Sequence, residues 1–305
     1  MMSTVDYSDR VVVGVDGSGQ SAIATEWAAQ RAERLGVGLT MLLATPPLVV
    51  PTSRGHMMRE GVEQFAKRVG SAARERLDQA ADEAAAKHPG LDIVALLLED
   101  SEPALALVEA TRTARLTVVG TRGLGTIKAM ALGAVSRHLI SHAHGPVVVV
   151  PETGVARDAR AEGTVAVGVD DEAHSSQTLQ AAINEAQLLG GKLLVLHSWE
   201  YSPVSVEGMP TMDTELFASV QSTYEQDLAV LVAEQVGSDH AFEVEVRVTL
   251  GHAGEVLTQA SHEAELLVVG SRGRSGLGGL LLGSTAAHVA RSSICPVLVV
   301  PNQKK

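Results

Sequence analysis

Two glycine-rich stretches and two aspartates are the residues of this chain best suited to chemistry. Gly270, Gly273, Gly276, Gly278 and Gly279 precede Gly283-Ser284-Thr285, where a helix is expected to open. A loop without Cβ atoms lets backbone N–H groups approach and wrap an anion, and the free N–H groups of a helix start turn partial positive charge toward it. A phosphate suits both features, although the same glycines would also serve a tight strand-to-helix connection. Asp16 and Asp170 each close a Gly-Val-Asp triplet, Gly14-Val15-Asp16 and Gly168-Val169-Asp170. A carboxylate repels phosphate, so its ligand role would lie at the far end of a crevice, accepting hydrogen bonds from an exocyclic amine or a ribose hydroxyl. Capping the helix that starts a few residues later is the other reading.

These residues recur because the chain repeats itself. Val118-Val119-Gly120-Thr121-Arg122-Gly123 returns as Val268-Val269-Gly270-Ser271-Arg272-Gly273, and Gly145-Pro146-Val147-Val148-Val149-Val150-Pro151 returns as Cys295-Pro296-Val297-Leu298-Val299-Val300-Pro301. A tandem duplication is the economical explanation, with a domain over residues 1–151, a polar linker over 152–163 and a second domain over 164–305. The 305 residues suit two domains of about 150 each.

Short apolar runs alternating with periodic helical segments supply the scaffold. In the first copy, strands are expected at Val11–Val15, Leu39–Ala44, Leu91–Leu98, Leu116–Val119 and Val147–Val150. Ser18 or Ser21 caps a helix ending at Gly36, a long polar helix runs from Met58 to Lys87, and shorter helices cover Pro103–Arg112 and Ala134–His142. The second copy repeats the plan with strands at Val165–Val169, Leu193–His197, Phe242–Thr249, Leu266–Val269 and Val297–Val300. Its helices are expected at Ser175–Leu189, Thr214–Val236, Glu255–His262 and Ser284–Ser292. Continuous apolar strands buried on both faces, alternating with helices, imply α/β domains: two tandem, doubly wound, open parallel sheets with helices on both faces. In such sheets ligands bind beyond the carboxyl ends of the strands, where the topology switches direction, and both glycine loops fall there.

Composition narrows the function. A formal net charge of −12 lacks the basic face that nucleic-acid binding needs. The single cysteine, Cys295, excludes an intrachain disulfide and reads as a buried structural thiol. No apolar run approaches the about 18 residues needed to span a bilayer, and no signal-peptide layout is present, so no membrane role and a cytoplasmic location are expected. Neither glycine loop is a Walker P-loop, since counting from Gly120 puts Thr126 where lysine is required. The dinucleotide fingerprint is missing after the first strand. His138, His142 and His144 read as a surface or helix-end cluster rather than a metal site, and His197 as a satisfied interior residue. No serine pairs with a histidine and an acid, and no carboxylate pair is set up for acid–base work.

At this point the motifs meet a known pattern. Gly270-x2-Gly273-x9-Gly283-Ser284, with the Gly-Val-Asp strand end and the closing Pro-Val-x-Val-Val strand, resembles the universal stress protein family over essentially the whole chain. That resemblance implies a Rossmann-like fold of the adenine nucleotide alpha hydrolase type and an ATP-binding regulatory or stress-response protein, the ATP alone or with Mg, without catalytic machinery. It implies that Gly168 and Asp170 lie at the adenine end, that the backbone near Ser198 flanks the base, and that Val269, Gly270, Gly273, Gly283, Ser284 and Thr285 hold ribose and phosphates. Corresponding positions in the first copy are Gly14, Asp16, Ala44, Val119, Gly120, Gly123 and Gly133. There Ala134 stands where the pattern has a hydroxyl; Ser136 is a possible replacement and Lys128 adds a positive charge. Asp171-Glu172 adds negative charge in the second copy. Both copies are expected to bind ATP, the second more tightly. The resemblance also implies that the terminal strands pair the two copies as an intrachain pseudo-dimer, from which a homodimer could form. A slow ATPase using the same crevice and a nucleotide-free dimerisation module are the competing functions.

Overall fold

The computed structural model describes residues 6–47, 56–123, 132–153, 161–170, 172–201, 214–237, 240–272 and 282–302. They form two units, divided between Gly154 and Val155.

The first unit runs β1 (Arg10–Gly14), α1 (Gly19–Leu35), β2 (Gly38–Ala44), α2 (His56–Lys87), β3 (Ile93–Leu98), α3 (Pro103–Ala110), β4 (Leu116–Gly120), α4 (Ala134–His142) and β5 (Val147–Val150). Its strands are parallel, in the order β3-β2-β1-β4-β5. The second unit runs β6 (Thr164–Gly168), α5 (Glu172–Leu189), β7 (Lys192–Trp199), α6 (Thr214–Val236), β8 (Glu243–Leu250), α7 (Ala253–Ala260), β9 (Leu266–Gly270), α8 (Ser284–Ser292) and β10 (Val297–Val300). Its order, β8-β7-β6-β9-β10, is the same plan, again parallel throughout.

The elements form for the reasons their sequences suggest. Val11, Val12 and Val13 are fully buried, as are Val165, Ala166 and Val167 of the matching strand, so each central strand is covered on both faces. Helix α1 lays Ala24, Ala28, Ala29 and Ala32 into the core. Ser18, of the two serines considered, is its cap: the Ser18 side chain accepts from the Ser21 N–H at 3.1 Å. Gly36 ends the helix in the left-handed region at φ 65°, where a side chain would be strained.

Two differences from the sequence reading have physical causes, and a third is a shift in bounds. Strand β7 continues past His197 to Trp199 because β8 pairs with it along its full length, Ser198 opposite Thr249 and Trp199 opposite Leu250. Helix α5 begins at Glu172, before Ser175; the Ser175 hydroxyl instead reaches back to accept from the Asp170 N–H at 2.9 Å. Helix α7 starts and ends two residues earlier than expected, at Ala253 and Ala260. Helices α4 and α8 and strands β5 and β10 have the expected bounds.

Strand order fixes where a site can form. In the first unit the chain steps outward from β1 through β2 to β3 and then crosses to β4 on the other side of β1, so the switch point lies between β1 and β4. In the second unit it lies between β6 and β9. The aspartates and the glycine loops leave the sheet at these two points.

Candidate functional site

At the switch point of the second unit a cavity of about 440 Å³ opens beyond the carboxyl ends of β6, β7 and β9. One wall is the end of β6 with Gly168, Val169 and Asp170, and another is the end of β9 with Val269, Gly270 and Arg272. Residues 283–286 bring the start of α8 to the cavity, and His252 and Ala253 bring the start of α7. Neither helix start is capped by a side chain. Two helix N-termini without a side-chain cap, each the positive end of a helix dipole, therefore border one space. Ser284 is exposed and Thr285 half-buried, both on the lining.

Backbone must come close here. A Cβ on Gly270 would stand 2.9 Å from the Thr178 Oγ1 and 3.3 Å from the Arg272 carbonyl oxygen. The Thr178 hydroxyl is itself buried on the lining without a hydrogen-bond partner. Gly168 has a different reason to be glycine, since its Cβ would fall 2.7 Å from the Leu257 Cδ1 of α7; Gly14 stands in the same relation to Leu107 of α3, at 3.0 Å. These two glycines let a helix press on a strand end.

The cavity also has an aromatic lining. Trp199 and Tyr224 are on the lining with their rings 5.9 Å apart, and Phe217, off the lining, lies 5.0 Å from the Trp199 ring. The His197 ring lies 4.9 Å from Tyr224, tilted by 35°, and its Nδ1 lies 2.9 Å from the Val169 carbonyl oxygen. A carbonyl only accepts, so Nδ1 carries the proton. His197 is thus buried and satisfied as expected, yet it also lines the cavity. Trp199 is held in turn by its Nε1–H donating to Gln221 at 3.0 Å. Ser198 lies between them on the lining.

The first unit places its corresponding residues differently. Asp16 was expected at the far end of the crevice, away from the glycine loop. Instead its carboxylate lies against Gly123, where a Cβ would meet Asp16 Oδ2, and it accepts from the Ser18 N–H at 2.9 Å. Ser136, the possible replacement for the missing hydroxyl, is buried and donates its proton to the Gly120 carbonyl at 2.7 Å, which leaves it no proton for a phosphate. Gly120 faces Gln20 instead of a threonine. Ala44 ends β2, Val119 is buried beside Gly120, and Gly133 precedes α4 with its N–H donating to Thr121. Leu43 and Thr45 occupy the positions of His197 and Trp199, so neither of those two rings has a counterpart in the first unit. Gly273, Lys128 and Asp171 lie outside the described residues, as does the side chain of Glu172.

This duplicated geometry can be set beside known proteins. The sequence profile of the universal stress protein family matches residues 8–151 and 163–301. The chain belongs to the universal stress protein family. A universal stress protein of Mycolicibacterium smegmatis is 31% identical over 304 residues, covering 98% of this chain and 99% of that one. One from Mycobacterium tuberculosis is 33% identical over 300 residues, covering 98% of each. Among solved structures, a universal stress protein from Archaeoglobus fulgidus superposes with a TM-score of 0.67 at 20% identity, covering 97% of this chain and 99% of that chain, a likeness of fold. Within the family frame, the tandem arrangement of two α/β units with parallel sheets is what the sequence repeat implies.

The remaining candidates resolve simply. His138 and His142 stack at 4.0 Å, and burial followed by the neighbouring His142 holds His138 below the ordinary imidazole value. Among the described residues no group of three potential metal ligands occurs. Cys295 is buried. Among the same residues no helix is long and apolar enough to cross a membrane. Sequence reasoning missed Trp199, Tyr224 and His252 as lining residues. Aromatic scarcity was the available signal, but nothing in α6 marks Tyr224 as the residue that will face β7.

Proposed function

We propose that the second unit binds an adenine nucleotide, ATP above all, and that the protein works as a non-enzymatic nucleotide-dependent regulator in stress. The observation that carries this reading is the cavity itself: two uncapped helix starts and the side chains of His197, Trp199 and Tyr224 line one space. Its volume, about 440 Å³, suits a nucleotide. Phosphates would lie at the N–H groups of α8 and the Ser284 and Thr285 hydroxyls, and the base toward the aromatic side chains, where π-faces favour stacking. The partnerless Thr178 hydroxyl and the close backbone approach at Gly270 supply further polar contact. The first unit would bind more weakly: Ala134 replaces the hydroxyl, Ser136 is committed to Gly120, and the rings of His197 and Trp199 have no counterpart.

Two measurements test this. Mass spectrometry of purified protein and titration calorimetry with ATP should give a nucleotide complex, and Ser284→Ala should weaken it about ten-fold. Protein that neither carries nucleotide nor takes up ATP overturns the reading. Phosphate release that scales with protein concentration and vanishes in Ser284→Ala would make the chain an ATPase instead of a regulator.

A further inference from the structure

The two units carry the same arginine in different electrostatic company. Arg122 and Arg272 each stand two residues past the glycine that ends the fourth strand of their unit, Gly120 and Gly270. In the first unit Arg122 Nη1 is 2.7 Å from the Glu152 carboxylate, an ion pair. The residue after the closing proline of the second unit is Asn302, where the first has Glu152. There Arg272 Nη2 donates to the Asn302 carbonyl oxygen at 2.9 Å, and the Asn302 amide donates back to the Arg272 carbonyl oxygen at 3.1 Å. The Asn302 N–H also donates to the Ser271 hydroxyl at 3.2 Å. The arginine is held in place by neutral groups and forms no ion pair among the described residues.

Arg272 lines the 440 Å³ cavity and is the only lysine or arginine among its described lining residues, which also include the carboxyl groups of Asp170 and Glu200. Its Nε is buried without a hydrogen-bond partner, as is that of Arg122, so the two arginines differ in what their terminal nitrogens meet. A guanidinium anchored by carbonyls keeps its full charge, and the planar donor fork suits phosphate oxygens. A carboxylate 2.7 Å from the guanidinium, as Glu152 is from Arg122, both cancels that charge and repels an anion nearby.

We propose that Arg272 is a phosphate-binding cation of the second-unit cavity, and that Asn302 is the residue that keeps its charge available. The second unit then selects among adenine nucleotides by phosphate charge, in the order ATP, ADP, AMP, adenosine. This rests on the nucleotide reading above and adds to it a selectivity determinant, Asn302, that lies outside the glycine motif and acts through Arg272 within it.

Site-resolved binding can test it in the full-length chain. Trp199 lines the cavity and Trp27 lies in α1, so a Trp27→Phe background makes tryptophan emission a reporter of this cavity. ATP, AMP and adenosine are titrated into that parent, into Asn302→Glu and into Arg272→Gln, with calorimetry alongside. Both variants should lose about ten-fold or more in ATP affinity, less for AMP, with adenosine within about two-fold of the parent. Variants that bind ATP like the parent, or that lose ATP and adenosine equally, overturn the role of Arg272 while leaving the nucleotide site standing. A parent that binds none of the three overturns both the role and the site.

Discussion

Single side chains decide what each glycine loop can offer. Ser136 shows the point: its hydroxyl sits near the expected position, but its one proton goes to the Gly120 carbonyl. Cys295 shows the same control by surroundings. Its residue is 5% exposed, and burial pushes the thiol from 9.0 up to about 11, against weaker opposing hydrogen bonds from Ser293 and the backbone. A thiol reagent at pH 8 should therefore leave the folded chain unmodified and label the unfolded chain fully; rapid labelling of folded protein would contradict the burial. The same shift has a stability consequence. The folded state holds its proton more tightly than the unfolded state, so this contribution is intact below pH 9.0 and is lost as pH rises from there toward about 11. Denaturant unfolding across that window should show midpoints falling with pH, and Cys295→Ala should flatten the part of the slope that the thiol causes.

At the scale of elements, what can be read locally was legible. The bounds of α4 and α8 follow from Gly133 and Gly283 in front of periodic helices, and α1 from Ser18 and Gly36 at its ends. Ser18→Ala should cost about 1 kcal/mol, measured as a lower denaturant midpoint at unchanged slope, because the Ser21 N–H loses its acceptor. Ser21→Ala is a control with a different expectation: its hydroxyl donates to the Ser18 carbonyl and caps no N–H, so the loss should be smaller. Strand β7 was less legible. Its last residues, Ser198 and Trp199, are strand only because Thr249 and Leu250 pair with them, a contact no window around residue 198 contains. That extension carries Trp199 to the cavity.

At the scale of the whole molecule, duplication has kept one architecture and let two sites diverge. Both units share strand order and glycine positions, yet the second has aromatic residues on its cavity lining and an arginine anchored by neutral groups, whereas the first has an arginine paired with Glu152. A ligand that binds only folded protein stabilises it by mass action. ATP at about one hundred times its dissociation constant should add about 2.7 kcal/mol and raise the melting temperature by several degrees. A melt unmoved at that concentration would count against any nucleotide site in the chain. The shift should shrink in Asn302→Glu at the same ATP concentration, since the stabilisation tracks affinity.

The sequence by itself determined the repeat, the α/β class, most helix starts and the strand ends beyond which the cavity opens, because apolar runs, capping residues and glycines act within a few residues of themselves. Only the tertiary structure decided which of those residues are available to a ligand. Asp16 meets Gly123, Ser136 turns to Gly120, His197 and Trp199 of β7 meet Tyr224 of α6, and Arg272 takes Asn302 for its partner thirty residues along the chain. Such pairings join distant segments at the ends of parallel strands, and the crossovers that bring them together leave no local signature in composition or spacing.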